Sequence, residues 1–433
     1  MKDLTPVLFV LKKIADDKLA MPQALDKALD TYNLSSQDIK TTIADVFGIL
    51  RDFPMLRAQV LDKFPSLQPD DDLTYLLMAS LFELRNPQAD REEVLSSLDK
   101  TVKANGLVLP EVDCKASLLS LAPEREFVPE QYKADFLSND SLLLNCPRWV
   151  LAAYIAEYGA KEATKILLSL REAPSLYLTV NTLLRKASDF EGDSRFKVLK
   201  SLSGDYQEGA SLWAVKGGRA SQYEEVAKNQ LFAQDYSYFR FLDALPILQY
   251  GRALHVNGGS GVTSAGLALR FLKKAGSVTV AYGDEGRFAK AKGFHSRLGL
   301  TNVEELLAEP KMIKTMKQFD SFDLVLVTPT STHLGQTRKR PDVNVTFDPD
   351  TLNLTMAKQD DALLEGSFFP TKGGYLAYAV PSVLKEEGED RINAFLDQRK
   401  NFALLTQKTI FPYADGDGLK SDGLYFAVLK RKD

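Results

Sequence analysis

The sequence predicts a multidomain chain, all helical at its front and α/β behind. Three observations carry this. Apolar residues recur at helical spacing through about residue 125. From about residue 231 strand and helix patterns alternate. Between a strand and a helix of that second part lies a glycine turn, Gly258-Gly259-Ser260-Gly261. A length of 433 residues fits about two to four domains.

Composition narrows the class. With 45% hydrophobic and 26% charged residues the chain is an ordinary globular one with ample core. No apolar run reaches the roughly 18 residues that a membrane helix needs. The start, MKDLTPVLFVLKKIADDK, holds a short apolar patch closed by Lys12 and Lys13, which suits a helix of a folded domain better than a signal peptide. Cys114 and Cys146 suit a reducing cytoplasm and have no metal-ligand spacing. Residues 1–140 carry 16 Lys and Arg against 24 Asp and Glu, and the remainder 38 against 34. An acidic front and a mildly basic back are compatible with nucleic-acid contact through the back part, or with a plain solvated surface.

In chain order, Ile39, Ile43, Val46, Phe47 and Leu50 fall on one helical face, with Ser35 and Asp38 placed as a capping box. Leu73–Leu84 is apolar nearly all round, as a central buried helix would be. Glu92–Lys103 continues the helical pattern, which breaks near Asn105-Gly106 and Leu109-Pro110. A second unit opens at about Asn145, with helices from Arg148 to Tyr158-Gly159 and over Lys161–Leu170. Residues 174–181 then read as a strand. Residues to about 230 mix short strands with turns such as Ser203-Gly204-Asp205 and Lys216-Gly217-Gly218.

Beyond residue 231 the expected strands are Ala253–Val256, Ser277–Tyr282, Phe322–Val327, Tyr375–Val380 and Leu424–Leu429. The helices between them are Ala265–Lys274, Gly286–Leu298, Leu352–Leu364 and Glu387–Arg399. Ligands of such sheets sit outside the carboxyl ends of the strands. That gathers Asn257–Gly261, Gly283–Glu285, Thr328–Thr332 and Pro381–Ser382 around one crevice. Glycines at 258, 259 and 261 let a backbone approach a ligand at a helix start, although a tight βα turn needs glycines in any case.

The order of markers along the whole chain resembles the Sun/Fmu (RsmB/NOP-type) family of RNA 5-methylcytosine methyltransferases. Gly48-Ile49-Leu50-Arg51 is similar to its G-hydrophobic-L-R. Pro147 with Trp149, Tyr158-Gly159, Pro174 and Val180-Asn181 are similar to its P-x-W, Y-G and P…R-V-N series. Phe232-Ala233-Gln234-Asp235, Arg297–Val303, Arg340-Pro341-Asp342, Gln359, Lys372-Gly373-Gly374, Glu386-Glu387 and Asp422–Ala427 also have counterparts. The resemblance implies a NusB-like helical domain over 1–140, a small α+β linking domain over 141–230 and a Rossmann-like class I methyltransferase domain over 231–433.

The site signals depart from the family. Its cofactor loop, V-L-D-x-C-A-A-P-G-G-K-T, reads here as Ala253–Ser264, with neither its Asp nor its Lys. In its D-A-P-C-S-G motif, Val327 stands for the acid and Thr330 for a thiol. In its T-C-S motif, Pro381 stands for the other thiol, and Thr179 replaces the Arg of R-V-N. In the family one thiolate adds to cytosine carbon 6, the second helps resolve the adduct, and the acid contacts the ring. Proline has no nucleophilic atom, and Thr330 has no base in register. The resemblance therefore implies that the family's cytosine chemistry is lost here.

Cys114 and Cys146 read as buried small hydrophobes rather than replacements. His333 lies near the crevice, either as an acid or base or as a surface-loop histidine. Cofactor candidates are Gly258, Gly259, Gly261 and Asp284, for S-adenosylmethionine whose binding is either kept or lost. Asp284 is one residue past Gly283, which holds the family's acidic position. Arg338, Lys339 and Arg340 form a cationic run that either contacts RNA phosphates or is solvated.

The expected protein is a catalytically inactive homologue that binds RNA, ribosomal by the resemblance. It is cytoplasmic and monomeric, with no metal and no membrane contact. Two alternatives stay open: a methyltransferase with non-cysteine chemistry, and a protein-interaction module using the acidic helical domain.

Overall fold

The computed structural model describes residues 3–110, 113–202, 209–414 and 418–432. The expected turn at Ser203-Gly204-Asp205 lies outside them. Two compact units share the chain. One comprises the described residues up to Glu172 together with Thr337–Pro349; the other comprises Ala173–Gln336 and the described residues from Asp350 onward. These units divide the chain at other places than residues 140 and 230, because the helices before residue 172 pack with the bundle while the strands after it pack with the α/β part.

The first unit is helical. Its opening helix, Thr5–Ala15, follows the apolar patch, and the helix Ser36–Arg51 starts at the expected capping box of Ser35 and Asp38. Asp72–Leu84 is buried along almost its whole length, so it forms the centre of the core with Ile49, Leu50, Phe53 and Leu98 around it. Gly48 allows the close approach of Ser36–Arg51 to that helix, since a Cβ there would lie 2.2 Å from the Phe82 ring. Gly159, at φ +79°, separates the helices Arg148–Tyr158 and Ala160–Arg171.

The segment Thr337–Pro349 is a stitched-in part of this unit. Arg51 Nη2 donates to the Arg338 carbonyl at 2.9 Å, Met21 N–H to Asp342 Oδ2 at 3.1 Å, and Asn344 Nδ2 to the Asn145 carbonyl at 2.8 Å.

The second unit holds two sheets. The small one comprises β1 (Tyr177–Val180), β2 (Phe196–Lys200), β3 (Ala210–Ala214) and β4 (Leu231–Ala233), antiparallel in the order β2-β3-β1-β4. The large one comprises β5 (Arg252–Val256), β6 (Ser277–Tyr282), β7 (Val303–Leu307), β8 (Phe322–Val327), β9 (Pro370–Val380), β10 (Phe402–Ile410) and β11 (Leu424–Arg431). Its order is β10-β11-β9-β8-β5-β6-β7. The strands β9, β8, β5, β6 and β7 run parallel, and β11 and β10 add antiparallel. Successive residues of β5 and β8 enter opposite cores. Leu254, Val325 and Val327 face one, and Ala253, Leu324 and Leu326 face the other with Phe271.

Two described strands of the large sheet were not expected. β7 and β10 are the edges of the sheet, and most of their side chains are exposed or half-buried, so neither carries the apolar run of a strand covered on both faces. β9 also starts at Pro370 rather than Tyr375. The strand thus takes in Lys372-Gly373-Gly374, and Gly373 at φ +74° sits in an irregularity of the β8–β9 ladder. None of the described helices is long and apolar enough to cross a membrane.

Candidate functional site

In the large sheet the chain runs outward from β5 through β6 to β7, then returns to β8 on the other side of β5. The carboxyl ends of β5 and β8 thus meet at a switch point, where open α/β sheets hold ligands. The four expected loops follow β5, β6, β8 and β9 there.

The glycine turn is held from both ends. Gly258 packs where a Cβ would lie 2.3 Å from Val280 Cγ1, and its N–H donates to Ala281 at 2.9 Å. Gly259 (φ +61°) has nothing within 4 Å of a would-be Cβ, so that side of the turn is open. Gly261 (φ +84°) begins the helix Val262–Leu272.

The buried His295, on the helix Glu285–Arg297, donates from Nε2 to the Gly261 carbonyl at 2.8 Å, while its Nδ1 lies 3.1 Å from Glu305 Oε1. At the other end the Thr328 hydroxyl donates to the Asn257 carbonyl at 2.8 Å. It therefore accepts the Nε2–H of buried His255, also at 2.8 Å. Burial, with the like charge of His295 added, lowers the His255 pKa to about 3.

That shift predicts an acid sensitivity. Above pH ~6.5 His255 is neutral in both folded and unfolded chains. Between there and its folded value near 3, the unfolded chain takes up a proton that the folded one refuses, so stability falls as pH drops. The expected loss at pH 5 is about 2 kcal/mol. Urea unfolding measured from pH 7 to pH 4 checks this. His255→Gln, which keeps an amide donor toward Thr328, should flatten the profile.

The loop after β8 is held by Glu387, which is fully buried. Its carboxylate accepts the N–H and hydroxyl of Thr332, and Gln359 Nε2 at 2.8 Å. Gln359 also donates to the Thr330 carbonyl at 3.1 Å. Pro381, after β9, accepts the Gly335 N–H at 3.0 Å. Val327 is fully buried at the end of β8 and Thr330 is exposed. The loops of this crevice are thus anchored, with Val327 buried where the first of them starts, Thr330 exposed on it and Pro381 directly after β9.

The other candidates are dispersed. Asp284 is exposed and caps its helix, accepting the Arg287 N–H at 2.7 Å. His333 (φ +61°) is half-buried, with Nδ1 3.0 Å from Gln336 Oε1; because Gln336 Nε2 donates to Asp422, that contact orients the imidazole as an Nδ1–H donor. Cys114 and Cys146 are buried in the helical unit, where burial pushes their thiols up to about 11 and about 12, leaving no thiolate at neutral pH.

The three cations of the expected basic run lie in the helical unit and do not form one exposed stripe. Arg338 is 1% exposed and donates to Ser169 Oγ at 3.3 Å, Arg340 pairs with Asp342 at 2.9 Å, and Lys339 is half-buried. A buried Arg338 is out of reach of a phosphate at the surface. His295, Glu305 and the role of Glu387 went unread, since their partners lie 34, 10 and 55 residues away and only the fold brings them together.

A family model described as 16S rRNA methyltransferase RsmB/F matches residues 256–423. The chain is 25% identical to the ribosomal RNA small subunit methyltransferase B of Yersinia pseudotuberculosis over 100% of both chains. It is also 25% identical to the probable ribosomal RNA small subunit methyltransferase B of Bacillus subtilis, over 59% of this chain and 57% of that one. In fold it is similar to the solved structure of PH0851, with a TM-score of 0.72 at 16% identity over 98% of each chain. NSun6 from Pyrococcus horikoshii, solved with SFG, gives a TM-score of 0.55 at 17% identity, covering 66% of this chain and 98% of that one. By sequence over residues 256–423, and by fold along nearly its whole length, the chain is similar to the RsmB/F (Sun/Fmu-type) rRNA methyltransferases.

Proposed function

We propose that this protein is a member of the family that has given up cytosine carbon-5 methylation and acts as an RNA-binding protein, with ribosomal RNA or a ribosomal particle as its partner. The observation that carries the reading is the occupancy of the crevice. Val327 ends β8, and Thr330 and Pro381 follow β8 and β9, at the places where the family has its acid and two thiols, and neither cysteine of the chain lies there. A thiolate adduct at carbon 6 needs a low-pKa thiol within reach, and none is there. The Glu387–Gln359–Thr332 anchor supports retention of the crevice as a shaped surface without its chemistry.

S-adenosylmethionine fits this crevice poorly. The glycine turn keeps an open side at Gly259, but Gly283 holds the family's acidic position and Asp284 is engaged as a helix cap. The three-module organisation over 1–140, 141–230 and 231–433, a monomeric state and a cytoplasmic location belong to the same reading.

Calorimetric titration of the purified protein with S-adenosylmethionine, and with its demethylated product, is expected to give no saturable heat. Filter binding to ribosomal RNA at moderate salt is expected to saturate; its absence would remove the RNA-binding reading. Saturable heat would instead favour a working methyltransferase with a non-cysteine mechanism, the reading that the preserved glycine turn supports.

A further inference from the structure

The helical unit contains a pocket of about 280 Å³ whose polar walls are Arg51, Asp52, Asn145, Arg171, Thr337 and Asn344. Arg51 is the unusual member. Its guanidinium stacks over the Phe47 ring at 4.8 Å and donates from Nη2 to the Arg338 carbonyl. Among the described residues it forms no ion pair, and its Nε–H is buried without an acceptor. Desolvation acts against its charge, and the like charge of Arg338 adds to that, opposed by Asp52. Arg171, on the opposite helix, is 41% exposed, donates to the Leu143 carbonyl and lies 3.5 Å from Asp52. The walls thus hold two guanidiniums and one carboxylate, Asp52, which is ion-paired with Arg171, and a half-buried arginine that lacks an ion pair is costly unless an anion completes it. The amides of Asn145 and Asn344 and the hydroxyl of Thr337 add neutral hydrogen-bonding groups to the same walls.

We propose that this pocket binds a phosphate group, held by Arg51 and Arg171. A planar guanidinium fork matches a phosphate's paired oxygens and is a stronger partner for it than a neutral donor. Under the RNA-binding reading above, on which this part rests, the phosphate is one of an RNA backbone; free phosphate has the same chemistry. The Gly-x-Leu-Arg stretch at Gly48–Arg51 thereby has two tasks, close helix packing through Gly48 and an anion contact through Arg51.

The test uses the full-length protein and its Arg51→Gln and Arg171→Gln variants, with Lys100→Gln, an exposed lysine on another helix, as the charge-matched control. Inorganic phosphate is titrated against sodium chloride of equal ionic strength, read by thermal shift. A fluorescein-labelled single-stranded oligoribonucleotide is titrated over a salt series. Phosphate is expected to raise the melting temperature of the parent and of Lys100→Gln, with affinity at least tenfold weaker in both arginine variants. For RNA, loss of one phosphate contact should reduce the slope of log affinity against log salt by about 0.7.

If phosphate binds with this dependence while RNA affinity and slope are unchanged, the pocket stands and its ligand is free phosphate. If RNA binds but neither arginine variant differs from Lys100→Gln with either probe, the pocket is overturned and the RNA reading survives. Should Arg51→Gln fail to fold by circular dichroism, the more exposed Arg171 decides the outcome alone.

Discussion

Asp243→Ala is expected to destabilise the second unit by about 3–5 kcal/mol. Asp243 ends the helix Tyr236–Asp243, and its carboxylate meets Arg270 Nη2 at 2.7 Å with side-chain exposures of 8% and 2%. The same carboxylate accepts the Ser201 hydroxyl at 2.7 Å and the Leu202 N–H at 2.8 Å. Arg270 in turn donates to the Gly266 carbonyl and lies over the Phe239 ring. Removing the acid leaves a buried guanidinium with its charge uncompensated, which costs more than the pair contributes. A double replacement, Asp243→Leu with Arg270→Met, should therefore recover most of the loss. Urea unfolding can be followed unit by unit, since Trp149 lies in the helical unit and Trp213 in the other. The transition reported by Trp213 should move, and that of Trp149 should stay. A double variant no more stable than Asp243→Ala would contradict the account.

Glu387→Ala is the second large effect, at about 3–5 kcal/mol. The replacement takes the acceptor from the Thr332 N–H, the Thr332 hydroxyl and one Gln359 N–H together, and each buried group left unsatisfied costs ~1–3 kcal/mol. Glu387→Gln keeps one carbonyl acceptor and should cost roughly half as much. Hydrogen exchange separates this from a general loss of packing. The amides of Thr328–Thr332 should lose protection in Glu387→Ala, whereas those of β6, which has no bond to this anchor, should lose little.

Strands buried on both faces were legible because their composition is one-sided: Ser277–Tyr282 and Phe322–Val327 are where the sequence places them. Helix starts with a local cap, such as Ser35 with Asp38, were equally readable. The edge strands β7 and β10 were not, since an exposed edge needs no apolar run. The site was legible as a set of loops, because each follows a strand directly. What holds those loops is non-local, and no spacing rule announces that His295 reaches Gly261 or that Glu387 reaches Thr332. Arg338 shows the opposite failure. Three adjacent cations read as a run in contact with RNA phosphates or with solvent, whereas the fold turns the first of them inward.

The inserted segment Thr337–Pro349 sets an order on biosynthesis. A chain that emerges from its N-terminus completes eleven helices among the described residues before residue 172, yet the hydrogen-bond acceptors for Arg51 and for the Met21 amide arrive only with Arg338 and Asp342. The bundle cannot finish its own interior until more than 160 further residues, with most of the parallel sheet among them, have been synthesised. The first unit to begin folding is thereby made to wait for the second, and a nascent chain stopped at residue 172 should expose a seam that a chain stopped beyond residue 349 closes.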